Sequence, residues 1–174
     1  MKTATEMLSD EHRNILRLID AMLEKCDQLE NKKEIDRAFF EKAIDFIRNY
    51  ADKFHHAKEE DILFKELCKD TVEMHCNPTE QMRYEHDTGR GFVRGMEEAL
   101  NKNDKKKLIK NARDYAELLQ QHIYKEDSIL YPMAEDALPG KTKKSILDKF
   151  KKLENKKTIG KYNSILKELE KTSK

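Results

Sequence analysis

The sequence lacks tryptophan and has little glycine, proline or cysteine: 5, 3 and 3 residues respectively among 174. Because turn-forming residues are so few, a fold built from many short strands is not expected. No run of apolar residues exceeds three, whereas a membrane-spanning helix needs roughly 20. We therefore expect neither a membrane-spanning segment nor a membrane partner.

Charge is abundant but balanced. Charged residues make up 40% of the chain, with 35 Lys and Arg against 34 Asp and Glu, which gives a net charge of +1. Disordered chains usually carry a large net charge, so this composition favours a folded protein. Near-neutrality also gives no general attraction to nucleic acid, and we expect no such partner. The composition is typical of long amphipathic helices around a modest core.

Two features predict a cytoplasmic protein. The first twenty residues contain acids and lack the apolar core of a secretory signal. The cysteines, Cys26, Cys68 and Cys76, are odd in number and irregularly spaced, which favours reduced thiols over a disulfide framework. For Cys68 and Cys76, a metal site that they form together with His75 is the weaker alternative.

Apolar residues at steps of three and four predict four long helices. They cover residues 5–29, 34–68, 79–100 and 105–134, separated by Asn31-Lys32-Lys33, by a loop with Asn77-Pro78 and by residues 101–104. Four long helices with such connections favour an antiparallel up-down four-helix bundle. We predict an all-α protein with this bundle at residues 1–138. A lysine-rich C-terminal helical extension, residues 139–174, follows Pro139-Gly140 and packs on the bundle.

A repeated motif interrupts the apolar stripes. The segment starting at His55 matches the one starting at His122 at an offset of 67, with five of ten positions identical. Glu11-His12 likewise matches Glu85-His86 at an offset of 74. The chain therefore looks like a duplicated helix pair, in which each half offers one histidine and then a His-x-x-x-Glu.

The spacing of this motif predicts a metal site. Residues four apart lie on one helical face, so a single helix can aim an imidazole and a carboxylate at one point. Two carboxylates buried together without a partner would be very costly, and cations would supply the missing charge. Mixed imidazole and carboxylate ligands suit iron, manganese or zinc. We predict two metal ions held by His12, His55, Glu59, His86, His122 and Glu126.

The choice between His55 and His56 rests on register. Aligning the two motifs pairs His55 with His122, and four residues before His55 lies the apolar Ala51, whereas Asp52 precedes His56 at that spacing. We therefore choose His55 with Glu59. The pair His56 and Glu60 is the alternative, and His56 is otherwise expected to be a neighbour on the helix face.

These residues resemble the hemerythrin-like, or HHE cation-binding, family over roughly residues 5–135. The resemblance implies a non-haem di-iron centre, with two iron ions linked by the two glutamates and by an oxo or hydroxo bridge. In this chain the residue four positions after His86 is Arg90 and not a second histidine. The residue four positions after His122 is the carboxylate Glu126. With fewer histidines and a second glutamate, the chain resembles the di-iron repair and nitric-oxide-handling branch more than the oxygen carriers.

Three functions remain open from the sequence. The first is a redox-active di-iron protein that reacts with dioxygen, nitric oxide or peroxide, as an enzyme or as a donor of iron, in stress response or iron handling. The second is a reversible binder or sensor of oxygen or iron. The third is a structural bundle stapled by a metal such as zinc. The first would need an electron donor, which we expect to be a protein.

Overall fold

The computed structural model describes residues 2–31, 34–74 and 76–174, and every regular element in these ranges is helical. The prediction of an all-α fold is confirmed. Met1, Lys32, Lys33 and His75 lie outside the described residues. The expected helix break at Lys32-Lys33 and the histidine of the alternative cysteine site therefore fall outside them as well.

The described part of the chain forms six helices. Helices α1, α3, α5 and α6 are Ala4–Glu30, Thr79–Asn101, Gly140–Leu153 and Lys156–Thr172. Helix α2 (residues 37–67) joins Arg37–Phe46, the π-helical Ile47–His56 and Glu59–Leu63, and Phe64–Leu67. Helix α4 (residues 105–137) joins Lys105–Lys125, the π-helical Glu126–Leu130 and Tyr131–Ala137. Within the described residues, no helix is both long and apolar enough to cross a membrane.

Local signals fix where the helices begin. The Thr3 side chain accepts from the Glu6 backbone N–H, and the Glu6 carboxylate accepts from that of Thr3, which is a capping box at the start of α1. The Asp104 carboxylate accepts from the Lys107 backbone N–H and begins α4. Just before it, Asn103 has a φ of 52°, a left-handed conformation that asparagine tolerates. These features allow α3 and α4 to connect through a short turn.

Both glutamates of the duplicated motif begin a π-helical turn, Glu59–Leu63 in α2 and Glu126–Leu130 in α4. Hydrogen bonds from i to i+5 make such turns wider than α-helical ones, and they are frequent at functional sites. The wide turns lie at the same place in the two halves of the repeat. Local geometry therefore supports the duplication seen in the sequence.

Two apolar clusters fill the bundle, one toward each end. The larger cluster joins α1, α2, α3, α4 and α6 and includes Met22, Phe40, Met96, Leu108 and Leu166. The smaller cluster joins α1, α2, α3, α4 and α5 and includes Leu8, Leu63, Met82, Leu130 and Phe150. Along each of the first four helices, the histidines and glutamates of the motif lie between these two sets. A buried polar layer thus separates the clusters.

The C-terminal extension belongs to the same packed body. Helix α5 contributes Ile146 and Phe150 to the smaller cluster. Helix α6 contributes Tyr162, Leu166 and Leu169 to the larger one. Burial of these side chains against α1 and α2 gives the extension a hydrophobic attachment to the bundle.

Candidate metal centre

The six residues predicted as metal ligands lie together in the buried polar layer, and one further histidine joins them. They form two groups, within each of which one ligand atom per residue lies within 4.8 Å of the others. The two-histidine group is His12, His55, Glu59 and Glu126, and the three-histidine group is His56, His86 and His122. All seven side chains are buried.

Each glutamate lies between the two groups. Glu126 Oε2 is 3.2 Å from Nε2 of His12 and 3.2 Å from Nε2 of His122. Glu59 Oε2 is 3.5 Å from Nε2 of His55 and 3.5 Å from Nε2 of His86. Each carboxylate therefore contacts one histidine of each group, as a bridging ligand must.

The carboxylates are short of partners. Glu59 Oε2 and both side-chain oxygens of Glu126 are buried and accept no hydrogen bond from the described residues. Burial and the charge of Glu126 raise the pKa of Glu59 well above its ordinary value. Buried carboxylate oxygens without donors are costly unless a cation binds them. The residues present thus fit a pair of metal ions.

Protons on two histidines partly offset this charge. Burial by itself lowers the pKa of His12, but the adjacent carboxylates of Asp127 and Glu126 outweigh it and raise that pKa to about 9. Burial also lowers the pKa of His122, but the adjacent carboxylates of Glu126 and Glu85 outweigh it and raise that pKa to about 10. Metal ions bind only deprotonated histidine, so metal binding at neutral pH releases these protons.

Two outer carboxylates orient one histidine in each half of the repeat. His55 Nδ1 lies 3.0 Å from Glu11 Oε2, and His122 Nδ1 lies 2.8 Å from Glu85 Oε2. Each of these glutamates also accepts from a lysine, Lys58 for Glu11 and Lys125 for Glu85. Such partners on the far ring nitrogen fix the tautomer and leave Nε2 for the metal.

A second pair of outer carboxylates holds the other two repeated histidines. His12 Nδ1 lies 3.0 Å from Asp127 Oδ1, and His86 Nδ1 lies 2.6 Å from Glu60 Oε1. Asp127 and Glu60 are themselves equivalent at the offset of 67. Glu60 therefore lies outside the two groups, next to the outer ring nitrogen of His86.

The further histidine is His56, which the sequence analysis kept only as the alternative to His55. Its ring stacks on that of His86 with centroids 3.7 Å apart, and its Nδ1 lies 3.4 Å from Asp52 Oδ1. His55 and His56 both end the π-helical segment Ile47–His56, and both are buried. Two adjacent histidines in a duplicated motif were the available signal. We preferred His55 because it aligns with His122, and because Asp52 rather than an apolar residue lies four positions before His56.

Tyr131 is a residue whose place the sequence did not predict. Its hydroxyl donates to Glu59 Oε1 at 2.6 Å and lies 3.4 Å from His12 Nε2. Its ring stacks beside His12, with centroids 5.6 Å apart. The equivalent residue in the other half is Phe64, which stacks beside His86. A hydroxyl is therefore present at the two-histidine group and missing at the corresponding place in the three-histidine group.

The cysteines take no part in either group. Cys26 is buried, and Cys68 and Cys76 are exposed free thiols. Cys68 Sγ contacts Thr79 Oγ1 at 3.3 Å. Among the described residues, the groups able to hold a metal ion include no cysteine.

The helical bundle and its buried histidines and glutamates define a metal-binding helical protein. The family model for the hemerythrin HHE cation binding domain matches residues 3–134, and the chain belongs to this family. The matched range covers α1 to α3 and most of α4, and ends before α5 and α6. Searches of curated proteins and of solved structures found no match.

Proposed function

We propose that the protein holds two iron ions bridged by Glu59 and Glu126 and reacts with dioxygen, nitric oxide or peroxide. The observation that carries this proposal is the pair of buried carboxylates, each in contact with one histidine of each group and with oxygens that lack donors. Membership of the HHE family supports the same conclusion.

The two groups differ in their number of donors. The proposed ligands of the first ion are His12, His55 and the two glutamates. The second ion would take His56, His86 and His122 with the same carboxylates. Catalytic metal sites keep an open position, whereas structural sites are closed. The open position is therefore expected at the two-histidine ion, which has one protein ligand fewer.

Iron is the metal that these donors favour for redox work. Two histidines and a carboxylate with open positions are typical of non-haem ferrous sites that react with oxygen. Bound iron would supply one-electron chemistry and a coordination position for a small ligand. Manganese and zinc suit the same donors, and zinc would only staple the bundle.

The protein's own side chains would control the proton and the surroundings. Burial raises the pKa of Tyr131 well above its ordinary value, so its hydroxyl keeps the proton that it donates to Glu59. Because the hydroxyl has a single proton, it can serve a ligand at the expected open position only when Glu59 releases that hydrogen bond. The apolar clusters above and below limit access of water. We further propose reduction by an electron donor protein in the cytoplasm, the compartment that the free cysteines favour.

The test is exposure of the ferrous-loaded protein to air and, separately, to nitric oxide without oxygen. We expect nitric oxide to bind and air to produce a stable oxidised form with near-ultraviolet absorption. An oxygen adduct that reverts under argon, cycle after cycle, would favour reversible oxygen carriage instead. A protein that takes up zinc but shows no reaction as the ferrous form would favour the structural role.

A matched pair of variants links this chemistry to the bridging carboxylates. Glu59→Gln removes one carboxylate from both ions and should lose most of the bound metal. Asp61→Asn removes a carboxylate two residues away that is exposed and paired with Lys65, and should change nothing. Equal metal content in the two variants would refute the bridging role of Glu59.

A further inference from the structure

A cavity of about 270 Å³ lies beside the three-histidine group, between α2, α3 and α4. His56 and His86 form part of its wall, and Ile47, Val93 and Leu119 give it an apolar lining. It lies away from Tyr131 and the two-histidine group, which do not line it. The volume suits a small organic molecule, since an engineered cavity of about 150 Å³ admits benzene.

One wall carries a hydroxyl without a partner. Tyr115 is 2% exposed, and its hydroxyl forms no hydrogen bond with the described residues. Packing alone would be served by phenylalanine, because a buried hydroxyl is costly when it is unpaired. The Tyr115 hydroxyl is therefore available to a molecule in the cavity.

The charges around the cavity are unevenly paired. Arg48 lies 2.7 Å from Glu97, and Arg90 lies 2.6 Å from Asp52. Arg94 also lines the cavity, is exposed, and has no ion pair within residues 2–31, 34–74 and 76–174. One positive charge thus remains available at the solvent side of an apolar cavity.

We propose that this cavity binds a small organic anion, such as a carboxylate carried on a single ring or a short chain. The hydrocarbon part packs against Ile47, Val93 and Leu119. An oxygen of the molecule accepts from the Tyr115 hydroxyl, and its negative charge faces Arg94. Because His56 and His86 are shared walls, the bound anion lies against the ligands of the three-histidine metal. The binding site stands on the cavity and does not depend on which metal is present.

The glycines of α3 provide a matched pair of variants. A Cβ added at Gly89 would lie 3.6 Å from Tyr115 Cε2 and 3.8 Å from Leu118 Cδ2, both residues of the cavity wall. A Cβ added at Gly91 meets only the end of the Arg94 side chain, at 3.8 Å. Gly89→Leu therefore fills the cavity, whereas Gly91→Leu makes the same change on the same helix outside it.

The experiment is calorimetric titration of the purified protein, with its metal content measured, using benzoate and the neutral benzyl alcohol as probes. Benzoate should bind to the wild type and to Gly91→Leu, and at least about tenfold more weakly to Gly89→Leu. Tyr115→Phe, which preserves the ring, should weaken benzoate roughly tenfold, as expected for a lost hydrogen bond to a charged group. Arg94→Gln should weaken benzoate but not benzyl alcohol.

Three results would overturn the proposal. If benzoate showed no measurable binding to the wild type, the cavity would not be a binding site for such anions. Equal affinity of Gly89→Leu and Gly91→Leu would place any binding elsewhere, including directly on the metal. If Arg94→Gln weakened the binding of benzoate and of benzyl alcohol equally, the site would not recognise negative charge. Should Gly89→Leu fail to fold, Tyr115→Phe and Arg94→Gln decide the question. Metal content reports separately on the proposed di-iron centre, so the two proposals fail independently.

Discussion

At the scale of single residues, Tyr131 distinguishes the two halves of the duplicated site. Its hydroxyl donates to Glu59 at the two-histidine group. The equivalent residue at the three-histidine group is Phe64, which has no hydroxyl. The repeat therefore supplies two similar sets of metal-binding side chains, but a tyrosine hydroxyl in only one of them. This asymmetry coincides with the difference between two and three histidines.

Tyr131→Phe tests this role. We expect the metal content to stay at the wild-type value, because the proposed ligand set does not include the hydroxyl. Oxidation of the ferrous protein in air should slow about a hundredfold, the lower end of the range for loss of a proton donor. Tyr124→Phe, at an exposed tyrosine, is the control. Loss of metal in Tyr131→Phe would identify Tyr131 as a ligand, and an unchanged oxidation rate would exclude both roles.

We expect the three thiols to differ in reactivity because they differ in burial. Burial raises the pKa of Cys26 to about 12, so its thiolate is scarce at every pH below that value. Cys68 and Cys76 are exposed. At pH 8, iodoacetamide should modify two thiols per folded chain, and a third only after unfolding in denaturant. Mass spectrometry of digested protein checks this, and rapid labelling of Cys26 in the folded state would contradict it.

At the scale of helices, α3 and α4 pack closely at Gly95. A Cβ placed there would lie 2.2 Å from Asn111 Oδ1, whose amide is held by a hydrogen bond from Nδ2 to the Lys107 carbonyl. Alanine normally stabilises a helix by about 1 kcal/mol relative to glycine. The contact with Asn111 should cancel this gain.

Three variants test the close approach. Gly91→Ala, at a position with space, should raise the free energy of unfolding by about 0.5–1 kcal/mol. Gly95→Ala should not, unless Asn111→Ala is added to the same chain. Urea unfolding measures all three. A gain in Gly95→Ala equal to that in Gly91→Ala would show that the helices accommodate the methyl group.

The sequence predicted the helices and most of the candidate site because both depend on a simple periodicity. Apolar residues and the His-x-x-x-Glu motif repeat at helical spacing, so six inward positions could be chosen without coordinates. His56 was only the alternative, because the π-helical segment Ile47–His56 changes the number of residues per turn and brings both adjacent histidines inward. The role of Tyr131 was hidden too, because on an apolar stripe a tyrosine is indistinguishable from core.

At the scale of the whole molecule, the C-terminal extension completes the core and covers one side of the site. Phe150 of α5 and Phe54 lie near the ammonium group of Lys58, which is fully buried and donates to Glu11. The equivalent lysine in the other half, Lys125, is 36% exposed. The extension thus encloses the outer contacts of His55 but not those of His122.

Truncating one buried side chain of the extension should destabilise the entire protein. Leu166 of α6 is fully buried in the larger cluster, so Leu166→Ala should cost about 2–5 kcal/mol of unfolding free energy. Leu153→Ala, at a leucine that is 48% exposed, should change it by less than about 0.5 kcal/mol. Thermal and urea unfolding measure both. Equal stability of the two variants would mean that the extension does not share the core.

Crystallography of the iron-loaded protein, with anomalous scattering at the iron edge, tests whether Glu59 and Glu126 bridge two metal ions. We expect two peaks per chain, roughly 3.5–4 Å apart. One should lie beside His12 and His55, and the other beside His56, His86 and His122. A single peak per chain, or two peaks that do not share Glu59 and Glu126, would contradict this expectation.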